Sequence, residues 1–184
     1  DHGFARLCDL LGQDRVYANP NSVFTFLANH DTNRFQPTEE KAKDITRYKQ
    51  ALALLLTLRG IPQLYYGDEI GMFANKSVND GALRQNFPGG WPGDKNNAFT
   101  AEGRTELQAQ YHDYTRRLLN WRKGNETVSI VANGTSKPAK AKSYIYKELL
   151  PAGQAYDVIS GNTVTLGEEI ELAPKQIMIL DFTK

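Results

Sequence analysis

Two short apolar runs, each followed directly by polar residues, constrain the fold of this 184-residue chain more than any other feature. The first run is VFTFLA at 23–28, and the second is IPQLYY at 61–66. Short runs that are rich in β-branched and aromatic residues predict buried parallel strands. Because a helical pattern lies between them, the three segments form a βαβ unit, whose strands run parallel.

The helix of this unit is predicted to run from about Thr38 to Gly60. Thr38 is the expected N-cap, and Glu39 and Glu40 place negative charge in the first turn, where it favours the helix dipole. Apolar residues then recur at the spacing of one buried helix face, at Ile45, Tyr48, Leu52, Leu55 and Leu56.

The remainder of the chain predicts a long loop, another helix and a small β domain. The loop covers residues 71–103, and a connection of this length usually carries function or an inserted subdomain. The helix is predicted over 105–123, with Thr105 and Gln108 as a capping box. Beyond residue 124 the pattern changes to short alternating runs, which predict antiparallel strands. These runs are SYIY at 143–146, NTVTL at 162–166 and QIMIL at 176–180.

Polar side chains follow both predicted strands of the βαβ unit. His30 and Asp31 come after the first strand, and Asp68 and Glu69 come after the second. The carboxyl ends of parallel strands meet at one edge of a sheet, where α/β proteins place reacting groups. Arg34 lies close enough in sequence to hold Asp31 ionised and to fix its rotamer.

Structural roles compete with this interpretation of the strand ends. Asp31 could cap a turn, His30 could be a hydrogen-bonded structural histidine, and Asp68 and Glu69 could form a solvated acidic turn. Asp31, Asp68 and Glu69 could also act together as hard oxygen ligands of magnesium or calcium.

Charge and hydropathy exclude several classes of partner. Lys and Arg total 22 against 21 Asp and Glu, so the net charge of +1 gives no electrostatic reason to expect a nucleic acid or an anionic membrane. The longest apolar stretch, at 51–58, is far shorter than the roughly 20 residues that a membrane span requires. Cys8 lies in a leucine-rich stretch and is expected to be a buried structural thiol. Because the chain begins at Asp1, we expect it to be a piece of a longer protein.

Three segments resemble the α-amylase family, glycoside hydrolase family 13. FLANHDTNRF at 26–35 resembles the fourth signature segment of that family, and GIPQLYYGDEIGM at 60–72 resembles the segment around its eighth barrel strand. DGALRQNFPGGWPGD at 80–94 resembles the neopullulanase and cyclomaltodextrinase branch. The resemblance implies an α/β plus all-β fold: residues 1–123 form the last βα units of a catalytic (β/α)8 TIM barrel, and residues 124–184 form a small antiparallel β-sandwich domain.

The resemblance also implies roles for individual residues. Asp31 matches the third family carboxylate, a catalytic residue that holds sugar hydroxyls and favours the distorted transition state. His30 matches the histidine that contacts the same sugar, and Arg34 is expected to bind substrate or to organise the site. Asp80 and Arg84 are spaced like a family pair that binds a neighbouring sugar, although a surface ion pair is the alternative. Trp91 either stacks on a glucose ring or anchors its glycine-rich loop.

The implied activity is retaining hydrolysis of α-glucans such as starch, maltooligosaccharides or cyclodextrins. The nucleophile and the general acid of the family come from barrel strands four and five, and no segment of these 184 residues resembles either motif. We therefore expect this chain to be inactive alone. The alternative is a non-catalytic carbohydrate-binding relative with the same fold.

The resemblance implies further expectations about cofactors, partners and location. No cofactor or metal is expected in this chain, although calcium is possible in the parent enzyme. The partner is an α-glucan oligosaccharide, and exposed barrel edges are expected to cause self-association. The passage over residues 121–135 is shorter than the family pattern. The expected location is periplasmic or extracellular, in a bacterium.

Overall fold

A computed structural model describes residues 4–122, 129–146, 150 and 153–182 of the chain. Its α-helices are α1 (Ala5–Leu11), α2 (Glu39–Lys43), α3 (Ile45–Thr57), α4 (Asp80–Leu83) and α5 (Glu106–Arg122). Its strands are β1 (Phe24–Phe26), β2 (Ile61–Gln63), β3 (Ser129–Ala132), β4 (Ala139–Lys142), β5 (Gly153–Asp157), β6 (Asn162–Leu166), β7 (Glu169–Leu172) and β8 (Ile177–Asp181). Short 3-10 helices occur at Asp14–Val16, Pro20–Ser22, Asp68–Ile70 and Ser143–Tyr146.

The described residues divide into two compact units. One unit consists of Asp1–Val23, Leu56–Gly60 and Arg117–Lys184, and the other consists of Phe24–Leu55 and Ile61–Arg116. The second unit contains β1, β2 and every residue of the predicted site. The predicted domain boundary between residues 123 and 124, and part of the passage predicted to be short, lie outside the described residues.

The parallel pairing predicted for the βαβ unit is confirmed. β1 pairs with β2 in parallel, with Phe24 opposite Ile61 and Phe26 opposite Gln63. The strands are shorter than predicted, and the expectation that they are buried is wrong for this chain, because Phe24 is 65% exposed and Ile61 is 45% exposed. A parallel sheet is buried when layers cover both of its faces, and the described residues pair β1 and β2 only with each other.

The helix predicted between these strands is two helices that break at Asp44. Thr38 accepts a hydrogen bond from the Lys41 amide at 3.3 Å, so the predicted N-cap is confirmed. Asp44 has extended backbone dihedrals, and its carboxylate accepts a hydrogen bond from the Thr46 amide at 2.9 Å. An aspartate that bonds nearby amides in this way competes with continuous helix, which explains the break.

Tyrosine hydroxyls connect α5 to the preceding helices. The capping box predicted at its start is confirmed, since the Thr105 amide donates to Gln108 Oε1 at 2.9 Å and the Gln108 amide donates to Thr105 Oγ1 at 3.3 Å. Tyr111 donates to the Ala42 carbonyl at 2.8 Å. Tyr114 donates to the carbonyl of Lys49 at 2.7 Å. These bonds hold α5 against α2 and α3.

The carboxy-terminal strands form two antiparallel sheets. One sheet has the order β3-β8-β5-β6, and the other pairs β4 with β7. Their core contains Val131, Leu150, Ala155, Leu166, Ile170, Leu172, Met178 and Leu180. The strands predicted at 162–166 and 176–180 are confirmed as β6 and β8. The strand predicted at 143–146 is wrong: this segment is a 3-10 helix, in which Ser143 bonds to the carbonyls of Gly167 and Glu168.

The first helix does not bury its thiol. Cys8 is exposed, and α1 contains no buried residue, so the predicted burial of Cys8 is wrong. Within the described part of the chain, no helix combines the length and the hydropathy needed to cross a membrane.

Candidate functional site

The turn after β1 presents His30 and Asp31 at the surface. Asn29 Oδ1 accepts hydrogen bonds from the amides of Asp31 at 2.8 Å and Thr32 at 2.9 Å, and the Asn29 amide donates to Thr32 Oγ1 at 3.1 Å. Asparagine side chains form such turns because they substitute for a backbone acceptor. The backbone of Asp31 is therefore held in place while its side chain remains 61% exposed.

The histidine and the carboxylate of this turn are in contact. His30 Nε2 lies 3.2 Å from Asp31 Oδ2, and the two side chains are similarly exposed. The imidazole thus lies beside one carboxylate oxygen and leaves the other for a second partner. Both predicted residues reach one surface, as expected for groups that contact the same ligand.

Arg84 supplies the second partner and joins the two halves of the predicted site. Its Nη2 lies 3.1 Å from Asp31 Oδ1 and 3.8 Å from Asp80 Oδ2, and its Nε donates to the His30 carbonyl at 3.3 Å. Arg84 follows α4, whose N-cap Asn79 accepts a hydrogen bond from the Ala82 amide at 2.9 Å. The structure therefore brings His30, Asp31, Asp80 and Arg84 together.

Lys76 is a fifth member of this cluster, and no sequence pattern predicts it. Its Nζ donates to the Asp31 carbonyl at 2.7 Å, and its amide donates to Asn33 Oδ1 at 2.7 Å. The lysine belongs to no recognisable motif, and only its place in a long loop could have drawn attention to it. It anchors this loop to the turn that carries Asp31.

Arg34 lies in the interior, where it organises the ends of both strands. Its side chain is inaccessible to solvent, and its Nη1 donates to the Tyr66 carbonyl at 2.7 Å. The guanidinium carbon lies 4.6 Å from the Tyr65 ring centroid and 5.0 Å from that of Tyr66. The predicted direct contact of Arg34 with substrate does not fit this burial. The expectation that Arg34 holds Asp31 is wrong, because Arg34 faces Asp68 and the guanidinium beside Asp31 is that of Arg84. An organising role is compatible with the position of Arg34.

Asp68 is buried beneath the site as the acidic partner of Arg34. The two side chains approach to 3.5 Å, which is an ion-pair distance but too long for a good hydrogen bond. Desolvation raises the pKa of Asp68 to about 7, and the nearby Glu69 also raises it, although the Arg34 charge opposes this shift. Because Asp68 is 2% exposed, the prediction of a solvated acidic turn is wrong for this residue.

Two tyrosine hydroxyls fix the helix that carries Asp80 and leads into Arg84. Tyr65 donates to the Leu83 carbonyl at 3.2 Å, and Tyr66 donates to the Gln85 carbonyl at 2.7 Å. The two acceptors flank Arg84 in the chain. The segment that follows β2 therefore positions the guanidinium that reaches Asp31.

The metal-site alternative is wrong for the described residues. No three of their His, Cys, Asp and Glu side chains lie close enough to hold a metal ion, and this excludes the grouping of Asp31, Asp68 and Glu69. What these residues present is an exposed carboxylate between an imidazole and a guanidinium. Such a surface offers both acceptors and donors to a ligand with many hydroxyl groups.

Two family models match the chain. The α-amylase catalytic domain matches residues 11–144, and the cyclomaltodextrinase carboxy-terminal domain matches residues 116–181. An α-amylase of Niallia circulans is 32% identical over 165 residues, which is 82% of this chain and 30% of that protein. A cyclomaltodextrin glucanotransferase of Paenibacillus macerans is 32% identical over 173 residues, covering 86% of this chain and 23% of that protein. The chain thus spans less than a third of these relatives.

Solved structures share the fold across almost the whole chain. An Anoxybacillus α-amylase superposes with a TM-score of 0.66 at 21% identity, covering 97% of this chain and 42% of that structure. The AmyP E221Q variant in complex with maltotriose gives a TM-score of 0.69 at 21% identity, covering 97% and 44%. The predicted fold class is confirmed: the last βα units of a (β/α)8 barrel precede an antiparallel β-sandwich domain. The family match extends over most of the chain, and this protein belongs to the α-amylase family, glycoside hydrolase family 13.

Proposed function

We propose that this chain is the carboxy-terminal part of a retaining α-glucan hydrolase of the neopullulanase or cyclomaltodextrinase type. The observation that carries the proposal is the single cluster in which Arg84 contacts Asp31, Asp80 and the His30 carbonyl. The match to a cyclomaltodextrinase carboxy-terminal domain supports the choice of this branch.

Asp31 acts as the carboxylate that stabilises the transition state. Glycoside cleavage passes through an oxocarbenium-like transition state, in which the ring flattens and positive charge develops. An ionised carboxylate that is held before the reaction interacts more strongly with this charge than with the neutral ground state. Asp31 also accepts hydrogen bonds from sugar hydroxyls, and these strengthen as the ring flattens. His30 contacts the same sugar.

Asp80 and Arg84 hold the neighbouring sugar. Both side chains are about half exposed, so each keeps hydrogen-bonding capacity after forming its ion pair. Arg84 also contacts Asp31. A sugar bound by Arg84 therefore holds the neighbouring, reacting ring at a fixed position beside Asp31. Correct placement of the ring is itself a large contribution to catalysis.

The nucleophile and the general acid come from other parts of the enzyme. Retaining hydrolysis needs two carboxyl groups about 5 Å apart, on either side of the scissile bond. No segment of this sequence resembles the family motifs for these two groups, and the chain alone therefore does not hydrolyse glucan. We propose no cofactor for this chain, and calcium is a candidate only for other parts of the parent enzyme.

The substrate is an α-1,4-linked glucan or a cyclodextrin. This choice is supported by the relatives named cyclomaltodextrin glucanotransferase and by neighbouring structures in complex with maltose, maltotriose and acarbose. We place the enzyme in the periplasm or outside a bacterial cell. The chain alone is also proposed to associate with itself through the exposed strands β1 and β2.

The test is an activity assay on the full-length protein that contains this chain. We expect release of reducing ends from maltoheptaose and β-cyclodextrin, no reaction with the β-linked cellohexaose, and no reaction of the 184-residue chain with any of them. Chromatography of the products separates hydrolysis from glucan transfer. A full-length protein that binds maltoheptaose without converting it would overturn the proposal and favour the non-catalytic carbohydrate-binding relative.

A further inference from the structure

Hydrogen bonds within the glycine-rich loop after α4, residues 87–99, hold it in one conformation. Asp94 Oδ2 accepts hydrogen bonds from the Gly89 amide at 2.7 Å and the Trp91 amide at 3.0 Å, and the Ala98 amide donates to the Pro88 carbonyl at 3.0 Å. Gly89 has φ of +109°, and a Cβ atom there would overlap Asn97 Oδ1 and lie 2.7 Å from Asn97 Cα. The loop therefore adopts one conformation that requires glycine at this position.

This loop exposes two large aromatic rings to solvent. Trp91 is 63% exposed and Phe99 is 60% exposed. Phe99 also packs on Phe87 with 4.5 Å between ring centroids, which fixes its orientation. Of the two roles expected for Trp91, this exposure does not fit an anchor, because an anchoring ring would be buried beneath its loop. Large exposed rings on a fixed loop are instead typical of a contact surface.

A cleft of about 500 Å³ lies beside the loop. Pro88 and Lys95 of the loop line it, together with Phe73, Gln85 and Asn86. A pyranose has apolar C–H faces and a rim of hydroxyls, and the mixture of an aromatic ring with amide and ammonium groups matches both. Gln85, which lines the cleft, directly follows Arg84 in the chain, and Arg84 contacts Asp31. The lining of the cleft therefore includes the chain neighbour of a residue in the cluster around Asp31.

We propose that residues 87–99 extend the sugar site, with the Trp91 ring stacking on a pyranose of the same α-glucan chain and the adjoining cleft accepting another sugar. This inference rests on the function proposed above and adds that the binding affinity increases with the length of the glucan. A short saccharide reaches only the cluster around Asp31, whereas a longer one also contacts the loop.

The experiment uses the full-length protein that contains this chain, with its upstream nucleophilic carboxylate replaced by the amide so that no sugar is consumed, and it measures the affinity for maltose and for maltoheptaose by isothermal titration calorimetry. In this protein the unaltered sequence of residues 1–184 is called the wild-type chain. We expect the wild-type chain to bind maltoheptaose about tenfold more tightly than maltose, and Trp91→Ala to remove this advantage while leaving maltose affinity unchanged, since aromatic truncations at contact centres commonly have effects of this size. Trp91→Phe should keep most of the advantage. Tyr144→Ala is the matched control, because Tyr144 is an exposed aromatic residue of the other unit and should change neither affinity.

The outcomes separate this inference from the proposed function. Equal maltoheptaose affinity in the wild-type chain and Trp91→Ala overturns the inference alone. A lower melting temperature of Trp91→Ala with unchanged affinity also overturns it, since Trp91 would then serve packing. Binding of neither saccharide by the wild-type chain contradicts the proposed function together with this inference.

Discussion

Asp31 has an exposed carboxylate on a backbone that is held from several sides. Asn29 accepts a hydrogen bond from its amide, and Lys76 donates one to its carbonyl. Arg84 and His30 then contact one carboxylate oxygen each. The side chain is thus oriented before any ligand arrives, and a preorganised charge is the arrangement that stabilises a transition state most effectively.

Replacing this carboxylate tests its role in the full-length protein. Asp31→Asn keeps the size of the side chain but removes the negative charge that would face the oxocarbenium ion. We expect turnover of maltoheptaose to fall by roughly two to three orders of magnitude, with the melting temperature preserved. Asp113→Asn, at another exposed aspartate, is the control and should retain turnover. Near-normal turnover of Asp31→Asn would contradict the assigned role.

The buried Asp68 makes stability depend on pH. Its pKa is about 7 in the folded chain against an ordinary value of 3.8, so the folded state holds a proton that the unfolded state releases. Between about pH 4 and pH 7, the free energy of unfolding should therefore fall as the pH rises, by up to about 1.4 kcal/mol per pH unit.

Denaturant titrations of the wild type, Asp68→Asn and Asp113→Asn across this range measure the effect. Asp68→Asn cannot titrate and should show a smaller dependence than the wild type, whereas Asp113→Asn should keep the wild-type dependence. Identical pH dependence in the wild type and Asp68→Asn would show that burial does not perturb this carboxyl.

At the scale of single residues, motif and spacing predicted His30, Asp31, Asp80 and Arg84 as site residues. They did not predict the residues that hold these side chains in place. Lys76 reaches Asp31 only because two loops that are distant in sequence meet. Such a contact has no periodic signature in the chain. The burial of Arg34 could not be predicted either, since a charged side chain is normally expected at the surface. Its position is explained by the two tyrosine rings, the Tyr66 carbonyl and the buried Asp68.

At the scale of elements, the capping box of α5 ties this helix to the glycine-rich loop. Gln108 Oε1 accepts hydrogen bonds from the Thr105 amide at 2.9 Å and from Asn96 Nδ2 at 2.7 Å. Gln108→Ala should therefore lower the free energy of unfolding by about 1–2 kcal/mol. Gln110→Ala, at an exposed position of the same helix, should stay within about 0.5 kcal/mol of the wild type. Equal stabilities of the two variants would show that the box contributes little.

Local signals predicted those elements that depend on local contacts. The caps at Thr38 and Thr105 and the parallel pairing of β1 with β2 follow from nearby residues and from general connection rules. The break at Asp44 depends on competition between helix continuation and a new side-chain bond, which periodicity does not reveal. The segment at 143–146 becomes a 3-10 helix because Ser143 bonds to residues more than twenty positions away.

At the scale of the whole molecule, the strands β1 and β2 expose apolar side chains, and among the described residues they pair only with each other. Phe24 is 65% exposed and Ile61, opposite it, is 45% exposed. Exposed edges with apolar side chains favour pairing with other chains. We expect the 184-residue chain to self-associate in sedimentation velocity experiments, and a Phe24→Lys and Ile61→Lys double variant to shift toward the monomer.

Tyr144→Lys and Ile145→Lys together form the matched control, because both residues are exposed apolar side chains of the other unit. This control should leave self-association unchanged. A wild-type chain that sediments as a monomer at all concentrations would contradict the expected role of these edges.

The central claim is that the cluster of His30, Asp31 and Arg84 binds a glucose unit. A crystal structure of the chain soaked in concentrated maltotriose tests it most directly. We expect a sugar ring with a hydroxyl within hydrogen-bond distance of the Asp31 carboxylate and a second hydroxyl near Arg84. Maltotriose bound only at other surfaces, with this accessible cluster left empty, would contradict the claim.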